Sequence, residues 1–169
     1  EFALAVAEIG HQYTNLYWFQ TKNPGHRQLG QEWLERARAM APDAPQIHWY
    51  WADHLYHGRL DYDGALAELA KAERKLPNSA DLYRMRGWVQ RRAGNFDDAI
   101  KAFLQVVHLD PRDPVGMFDL AITYAAIDDF EGYALWRDRR LGLELEPDSF
   151  FTYAQLDLQA TGDLTALRR

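Results

Sequence analysis

The chain has 169 residues, of which 47% are hydrophobic and 14% aromatic, so it can bury a core and is not a disordered chain. Its 25 acidic and 19 basic side chains give a net charge of −6, which argues against binding to nucleic acid or to an anionic membrane. No cysteine is present, which excludes disulfides and thiol catalysis.

The N-terminal segment predicts an irregular helical pair with a long first helix. Ile9, Gly10 and Tyr13 fit the core positions of one helix, and the apolar run at 16–19 extends the pattern, so we predict continuous helix over residues 3–20. The aromatic run is either cap and core for the open end of the molecule or a docking surface for a segment that precedes it. A second helix follows after a turn. Its predicted core positions are Gly30, Leu34 and Ala37, and Pro42 ends it.

The clearest pattern lies over residues 80–113. Asn95 occupies an N-cap position, and Ala99, Phe103 and Val106 recur at spacings of four and three, as one stripe of a helix does. Pro111 then ends that helix. The same spacing returns 34 residues earlier at Ala65, Leu69, Ala72 and Pro77. A fixed period with one helix pair per unit predicts a stacked helical solenoid.

Two residues in the middle of the chain depart from the repeat family that this pattern resembles. Asp53 stands where a small residue normally lets two helices approach, so we expect either a local hydrogen bond or looser packing there. Arg86 stands where a large apolar residue is usual, and we expect its stem to pack while its head reaches solvent.

The last third of the chain keeps the period less well. Its first helix starts at Pro114, and its second helix has Tyr133 at the position of Ala99, so we expect this helix to shift its packing face. The shifted face would use Leu135, Trp136, Leu141 and Leu145. The chain therefore predicts one domain with repeats at about 3–45, 46–79, 80–113, 114–147 and 148–169, the last of them partial or capping.

These columns resemble the tetratricopeptide repeat, with Gly87 as the small residue of a first helix, Ala99 at a helix crossing, Phe103 as the aromatic and Pro111 at the end. The resemblance implies an all-α, right-handed α-α superhelix of about four and a half helix-turn-helix repeats. It also implies a protein-interaction module without catalytic activity or cofactors.

A narrower resemblance concerns the long first helix with its Leu-Tyr-Trp-Phe run and the acidic-aromatic turn at 61–63. Both are similar to the repeat regions that follow cyclase, kinase or winged-helix domains in bacterial regulators. This similarity implies that the chain is an excerpt from a larger bacterial regulatory protein.

A search for chemistry finds no nucleotide-binding glycine loop, no GxSxG, no HExxH and no cysteine pair. His54 and His57 lie three apart beside Asp53, which is a spacing compatible with metal binding, but no third or fourth ligand is evident, so we predict no metal site. Trp88 shares a helix with basic residues, as nucleic-acid sites do, yet the patch is small and the chain acidic. We predict no nucleic-acid partner.

The tetratricopeptide resemblance implies that the first helices line a concave groove, which solenoids commonly use for partners. The groove positions carried over from the family are Tyr50, His54, His57, Arg84, Trp88, Arg91, Phe118, Ile122 and Ala125. Equally, some of these side chains serve to pack neighbouring first helices together. We predict that the groove binds a protein or peptide segment with acidic and apolar residues; the alternative is that the module mediates self-association of its host.

No apolar run reaches the roughly 20 residues that a membrane helix needs. The opening residues lack the basic flank and cleavage pattern of a signal peptide. We therefore predict a cytoplasmic protein with no membrane partner.

Overall fold

The computed structural model describes residues 1–143 and Leu156, and this part of the chain is helical without any strand, which confirms the predicted all-α class. The chain divides into two compact units, Glu1–Gly94 and Asn95–Arg169. The first unit contains α1 (Phe2–Asn15), α2 (Pro24–Met40), α3 (Pro45–Asp53), α4 (Tyr62–Glu73) and α5 (Ala80–Arg92). The second contains α6 (Phe96–Leu109), α7 (Pro114–Ala125) and α8 (Phe130–Leu141). The predicted fifth repeat, 148–169, lies outside the described residues apart from Leu156, and the repeat boundaries stay a prediction.

Two of the first helices continue into π-helical segments. α1 runs without a break into π1 (Leu16–Thr21), and α3 runs into π2 (His54–Arg59). The backbone at the junction after Asn15 keeps right-handed helical angles. The predicted long first helix is therefore confirmed, although its last six residues are π-helical.

The first repeat has eight more residues between Tyr13 and Gly30 than the second has between Tyr56 and Ala65. The structure shows where these extra residues lie. Eight residues follow Tyr13 before the helix ends, against three after Tyr56. Six residues of α2 precede Gly30, whereas three residues of α4 precede Ala65. Most of the excess therefore extends the first helix, as predicted, and the rest extends the start of α2.

A left-handed residue follows the end of each first helix. These residues are Lys22 (φ 51°), Leu60 (φ 56°), Gly94 (φ 84°) and Asp128 (φ 60°). The last three stand 34 residues apart, so the backbone itself repeats with the period found in the sequence. A Cβ added at Gly94 would meet no atom within 4 Å, so the positive φ, and no steric contact, is what favours glycine there.

In the first unit, α1 and α2 cross at two glycines. A Cβ on Gly10 would lie 2.7 Å from Leu34 Cγ and 2.9 Å from the Gly30 carbonyl oxygen, so nothing larger than glycine fits without displacement. α3 packs against α4 and against α1. The fully buried apolar side chains of this core include Leu34, Ile47, Leu69, Met85 and Val89.

The acids that are buried in the first unit, Asp53 and Glu68, are both paired with basic or imidazole side chains. Glu68 is buried on α4, where Arg38 (2.8 Å), His48 (2.7 Å) and Lys71 (2.8 Å) contact its carboxylate. Arg86 donates two hydrogen bonds, of 2.7 and 2.6 Å, to the Glu73 carboxylate. This contact corrects the expectation for Arg86, because its head binds a carboxylate instead of reaching into solvent alone.

In the second unit, α7 packs against both α6 and α8. α8 buries Tyr133, Trp136 and Arg140, which are spaced by three and four residues, and the Arg140 Nε donates to the Pro114 carbonyl oxygen at 3.2 Å. Leu135 and Leu141, which we expected on the packing face, are exposed. The expectation is confirmed for Trp136 and was wrong for Leu135 and Leu141, because Tyr133 fills the core at the repeat position itself. Leu145 lies outside the described residues.

No helix within the described residues is long and apolar enough to cross a membrane.

Candidate functional site

Two of the residues predicted to bind a partner are buried. His54 is 0% exposed, and its Nδ1 lies 2.9 Å from the hydroxyl of Thr14. The Thr14 hydroxyl donates to the Gly10 carbonyl oxygen, so it is free only to accept from the His54 Nδ1–H. Burial lowers the pKa of His54 to about 4, which keeps the ring neutral. His54 therefore has no exposed surface for a partner, which corrects the sequence-based prediction.

Asp53, the unexpected acid on α3, explains the burial of the second histidine. Its carboxylate is 2% exposed and accepts hydrogen bonds from His57 Nδ1 at 2.7 Å and from His11 Nδ1 at 3.0 Å. Burial raises the pKa of Asp53, but the two hydrogen bonds and histidine charges lower it more, so the group is ionised. The expected local bond is present, and a second bond links α3 to α1.

His11 extends this network to Tyr50. The His11 ring lies 5.2 Å from the Tyr50 ring, and the Tyr50 hydroxyl donates to Glu8 at 2.6 Å. Burial lowers the pKa of His11, but the hydrogen bond and charge of Asp53 and the charge of Glu8 raise it more. Burial, with Glu8 next, raises the pKa of Tyr50 to about 12. Tyr50 is thus held in place and half-exposed, as a binding residue on a rigid element should be.

A cavity of about 300 Å³ opens beside Tyr50. Its lining combines the start of α3, the turn after α4 and the start of α5: Pro45, Gln46, Trp49, Tyr50, Leu76, Ser79, Asp81 and Leu82. At its edge the Asp81 carboxylate accepts a hydrogen bond of 2.7 Å from Arg84. The structure therefore brings Tyr50 and, through Asp81, Arg84 to one concavity.

The remaining predicted residues are half-buried side chains on first helices. Trp88 and Arg91 lie on α5, in the first unit, and Phe118, Ile122 and Ala125 lie on α7, in the second. Phe118 has the guanidinium of Arg140 5.7 Å from its ring centroid. None of these side chains is fully buried, so each keeps some surface for contact.

The described residues hold no group of three or more His, Cys, Asp or Glu side chains arranged to bind a metal ion. The two imidazoles nearest Asp53 both direct their Nδ1 atoms at its carboxylate oxygens. One of these hydrogen bonds is local to α3 and π2, and the other links α3 to α1.

A second surface of the first unit was missed by sequence reasoning. The Trp18 ring on π1 carries Lys22 Nζ 3.6 Å and Arg92 Cζ 5.0 Å from its centroid. Arg92 also lies 5.3 Å from the Tyr56 ring, and Phe19 beside Trp18 is 68% exposed. Arg27 lies near the Tyr17 ring, and Arg59 follows Tyr56 by three residues in π2. We name the whole set the cation–aromatic cluster: Tyr17, Trp18, Phe19, Lys22, Arg27, Tyr56, Arg59 and Arg92.

The cluster joins residues from several elements. Arg27 on α2 lies 5.8 Å from the Tyr17 ring and close to Gly58, and Arg59 ends π2. None of the four cations forms a salt bridge with a carboxylate in the described part of the chain. The aromatic run was visible in the sequence, but the cations come from distant positions and no local pattern joins them.

The second unit has a cavity of its own, of about 490 Å³. An apolar floor with two cationic or polar side chains at the edge lines it: Leu104, Val107, His108, Pro111, Met117, Trp136, Arg139 and Leu143. The Arg139 guanidinium stacks 4.7 Å from the Trp136 ring.

The helix pairs, the 34-residue period and the left-handed residue after each first helix define an α-solenoid of helix-turn-helix repeats. A tetratricopeptide repeat family model matches residues 58–114, the part of the chain where the sequence period is clearest. No curated protein matches the sequence significantly.

Several solved structures share the fold. PilW, a widely conserved type IV pilus biogenesis factor, is 17% identical with a TM-score of 0.82, over 97% of this chain and 72% of that protein. The APC/C hetero-tetramer Cut9–Hcn1 contains a chain that is 17% identical with a TM-score of 0.77, over 94% of this chain and 30% of its own length. MamA is 15% identical with a TM-score of 0.69, over 84% of this chain and 78% of that protein. At these identities the likeness establishes the tetratricopeptide-type fold.

Proposed function

We propose that the chain is a non-catalytic protein-interaction module that binds a partner segment on the surface of α3 and α5. The cavity beside Tyr50 is the observation that carries this proposal, because it opens between these elements next to residues that the repeat pattern assigns to binding. Helical repeat folds commonly present such surfaces to other proteins.

Tyr50, Arg84, Trp88 and Arg91 are the binding residues of this proposal. Tyr, Trp and Arg most often anchor interfaces, since they combine a large contact area with directional polar groups. The Arg84 side chain is 19% exposed, whereas its partner Asp81 is 74% exposed. Because Asp81 is exposed and the pair lies three residues apart on one helix, the pair contributes only about 0–1 kcal/mol, and a carboxylate from a partner can replace Asp81 at little cost. An acidic and apolar segment therefore remains the expected ligand.

The proposal is tested with peptides selected from a random displayed library on the immobilised chain. The affinity of each selected peptide is then measured for the wild type and for the double variant Arg84→Ala/Trp88→Ala. We expect binding to weaken at least about tenfold, as the loss of one interface anchor does. Unchanged affinity would show that the partner surface lies elsewhere.

A matched control is available on a second helix. Arg36 stacks 4.8 Å from the Trp33 ring on α2, so Arg36→Ala/Trp33→Ala removes the same residue types away from the proposed surface. This variant should bind the selected peptides like the wild type. Circular dichroism of both variants separates loss of binding from loss of fold.

Self-association is the second candidate, and charge distribution favours it. Residues 1–94 contain 12 basic and 11 acidic side chains, whereas residues 95–169 contain 7 and 14. The first part is nearly neutral, and its exposed cations Lys22, Arg27, Arg59 and Arg92 can attract the acidic part of a second copy. Light scattering over a concentration series at low and high salt would detect it: an apparent mass that rises with concentration and falls with salt favours self-association.

We also propose that this module belongs to a cytoplasmic bacterial regulatory protein, as the resemblance of its long first helix and its acidic-aromatic turn implies. Reading the complete open reading frame tests that proposal directly. A frame without a cyclase, kinase or winged-helix domain would contradict it.

A further inference from the structure

The cation–aromatic cluster concentrates positive charge in an acidic protein. Lys22, Arg27, Arg59 and Arg92 are all exposed, and none has a carboxylate partner in the described part of the chain. Elsewhere in the same unit surface cations do form such pairs, as Lys71 does with Glu68. The cluster is therefore a positively charged surface that can bind an anionic group.

The contacts of Trp18 show how two of these cations are placed. Lys22 Nζ lies 3.6 Å and Arg92 Cζ 5.0 Å from the centroid of the same ring, so the two charges are at most about 9 Å apart, within the range of electrostatic repulsion. Cation–π contact attracts each of them to the ring but leaves their mutual repulsion in place. An anionic group bound between the two cations would remove that repulsion. The left-handed backbone at Lys22, with φ 51°, fixes the point where this side chain leaves the end of π1.

An apolar side chain stands next to these charges. Phe19 is 68% exposed, with its ring 5.5 Å from the His57 ring, which Asp53 holds in turn. A large ring supported from beneath and exposed above offers contact area at little entropic cost, because its neighbours already restrict it. The ligand that fits the cluster therefore carries both negative charge and an apolar group.

Two observations favour protein over nucleic acid as the source of these groups. Bases bind such surfaces by stacking on an open aromatic face, but cations already cover the Trp18 ring. A nucleic acid strand is also a polyanion, and the chain as a whole has a net charge of −6. A peptide with a few carboxylates meets less of that repulsion.

We propose that the cation–aromatic cluster is a docking site for an acidic segment of a partner protein, in which carboxylates flank an aromatic or large aliphatic side chain. Carboxylates bind Lys22 and Arg92 across the edge of Trp18, and the apolar side chain packs on Phe19. This site goes beyond the proposed function, because it shares no residue with the surface formed by Tyr50, Arg84, Trp88 and Arg91.

The test uses a fluorescein-labelled peptide in which Glu and Phe alternate, and measures its anisotropy against the full chain. A peptide with Gln in place of Glu and one with Ala in place of Phe are the matched probes. We expect the first peptide to bind in a salt-dependent way and both matched probes to bind at least about tenfold more weakly. Absence of binding by the Glu–Phe peptide would overturn the proposal, as would equal binding of the Gln peptide.

The protein side of the test is the double variant Lys22→Gln/Arg92→Gln, with Arg36→Gln/Arg74→Gln as its control. Both variants remove two exposed cations from the same unit, but Arg36 and Arg74 lie outside the cluster. We expect the first variant to bind the Glu–Phe peptide about tenfold more weakly and the control to match the wild type. Equal losses in the two variants would reduce the effect to net charge and overturn the proposal.

Two further measurements identify other occupants. A labelled poly-dT oligonucleotide that binds more tightly than the peptide and depends on Lys22 and Arg92 would make the cluster a nucleic-acid site. A self-association seen by light scattering and abolished by Lys22→Gln/Arg92→Gln would make the occupant a second copy. Either result contradicts the proposal, and neither affects the outcome expected for Arg84→Ala/Trp88→Ala.

Discussion

The first unit contains two kinds of charged site: buried acids that are paired, and exposed cations that lie on aromatic rings. Asp53 and Glu68 are acids inside the helix packing, and each is contacted by two or more basic or imidazole side chains. Lys22 and Arg92 are cations on the surface, where they lie on an aromatic ring and form no salt bridge within residues 1–143. A buried charge must be paired because its desolvation costs free energy. An exposed charge stays hydrated and needs no partner within the fold, so it can bind a ligand. Burial together with pairing therefore marks the charges that hold the fold, whereas Lys22 and Arg92 are available for binding.

Removing Asp53 should give the largest effect. Asp53→Ala leaves two imidazoles without their acceptor between α1 and α3, and breaking a buried pair in this way costs roughly 3–5 kcal/mol of unfolding free energy. Urea denaturation measures it. The exposed acid Asp43 is the control, and Asp43→Ala should leave the midpoint nearly unchanged. Similar small shifts in both variants would mean that the Asp53 network does not hold the helices together.

Acid should weaken the fold through His54. Its pKa is about 4 in the folded chain, below the ordinary 6.5, so the unfolded chain binds a proton first as the pH falls. Above pH 6.5 the titration of His54 does not lower the free energy of unfolding. As the pH falls from 6.5 to 4, this free energy decreases by on the order of 3 kcal/mol.

The variant His54→Gln isolates this contribution, because the amide can still donate to the Thr14 hydroxyl while it does not titrate. We expect its unfolding free energy to fall less than that of the wild type over the same pH range. Parallel pH profiles of the two proteins would contradict a buried neutral His54. The raised pKa of His11 acts in the other direction, since its stabilisation is present below the ordinary histidine pKa and is lost as the pH rises through the raised value.

Arg86 provides an intermediate case between the buried and exposed charges. Its guanidinium and the Glu73 carboxylate are both partly buried and joined by two hydrogen bonds. Arg86→Ala should cost roughly 1.5 kcal/mol by thermal or urea unfolding, since bonds between charged groups exceed neutral ones. Lys101, whose pair with Asp98 is exposed, is the matched control and should give no measurable change on Lys101→Ala.

The smallest effect on stability should come from the cation–aromatic cluster. Lys22→Gln/Arg92→Gln removes four weak cation–π contacts and also the repulsion between the two cations, so the free energy of unfolding should change by less than about 1 kcal/mol. A thermal melt checks this. A loss comparable to that of Asp53→Ala would show that these cations hold the fold, and the contrast between the two regions would fail.

The sequence predicts the helices well and the side-chain pairing poorly, for a physical reason. The spacing of Ala99, Phe103 and Val106 is local, because one helix face must be apolar to be buried, so helix type and period follow from it. The predicted extension of the first helix is correct for the same reason, although its π-helical end leaves no mark in that spacing.

Contacts between helices do not follow from such spacing. His54 and His57 occupy positions typical of a binding face, yet Thr14 and Asp53 hold them inside the packing. The cation–aromatic cluster joins Trp18 on π1 to Arg92 on α5, two residues that lie far apart in the sequence. The sequence did give one indication of the hydrogen bonds from His11 and His57 to Asp53, because Asp53 does not fit the repeat pattern.

The π-helical ends of the first helices affect how these repeats can change length. Adding one residue inside an α-helix rotates every later side chain by about 100°, which would disrupt a packed stripe. A π-helical turn absorbs an extra residue within a single turn. Because π1 lies beyond the Gly10–Gly30 crossing, insertions or deletions there leave the packed glycines in register. Length variation in this protein can therefore accumulate at the ends of the first helices, and the side chains displayed there can diversify while the core stays the same.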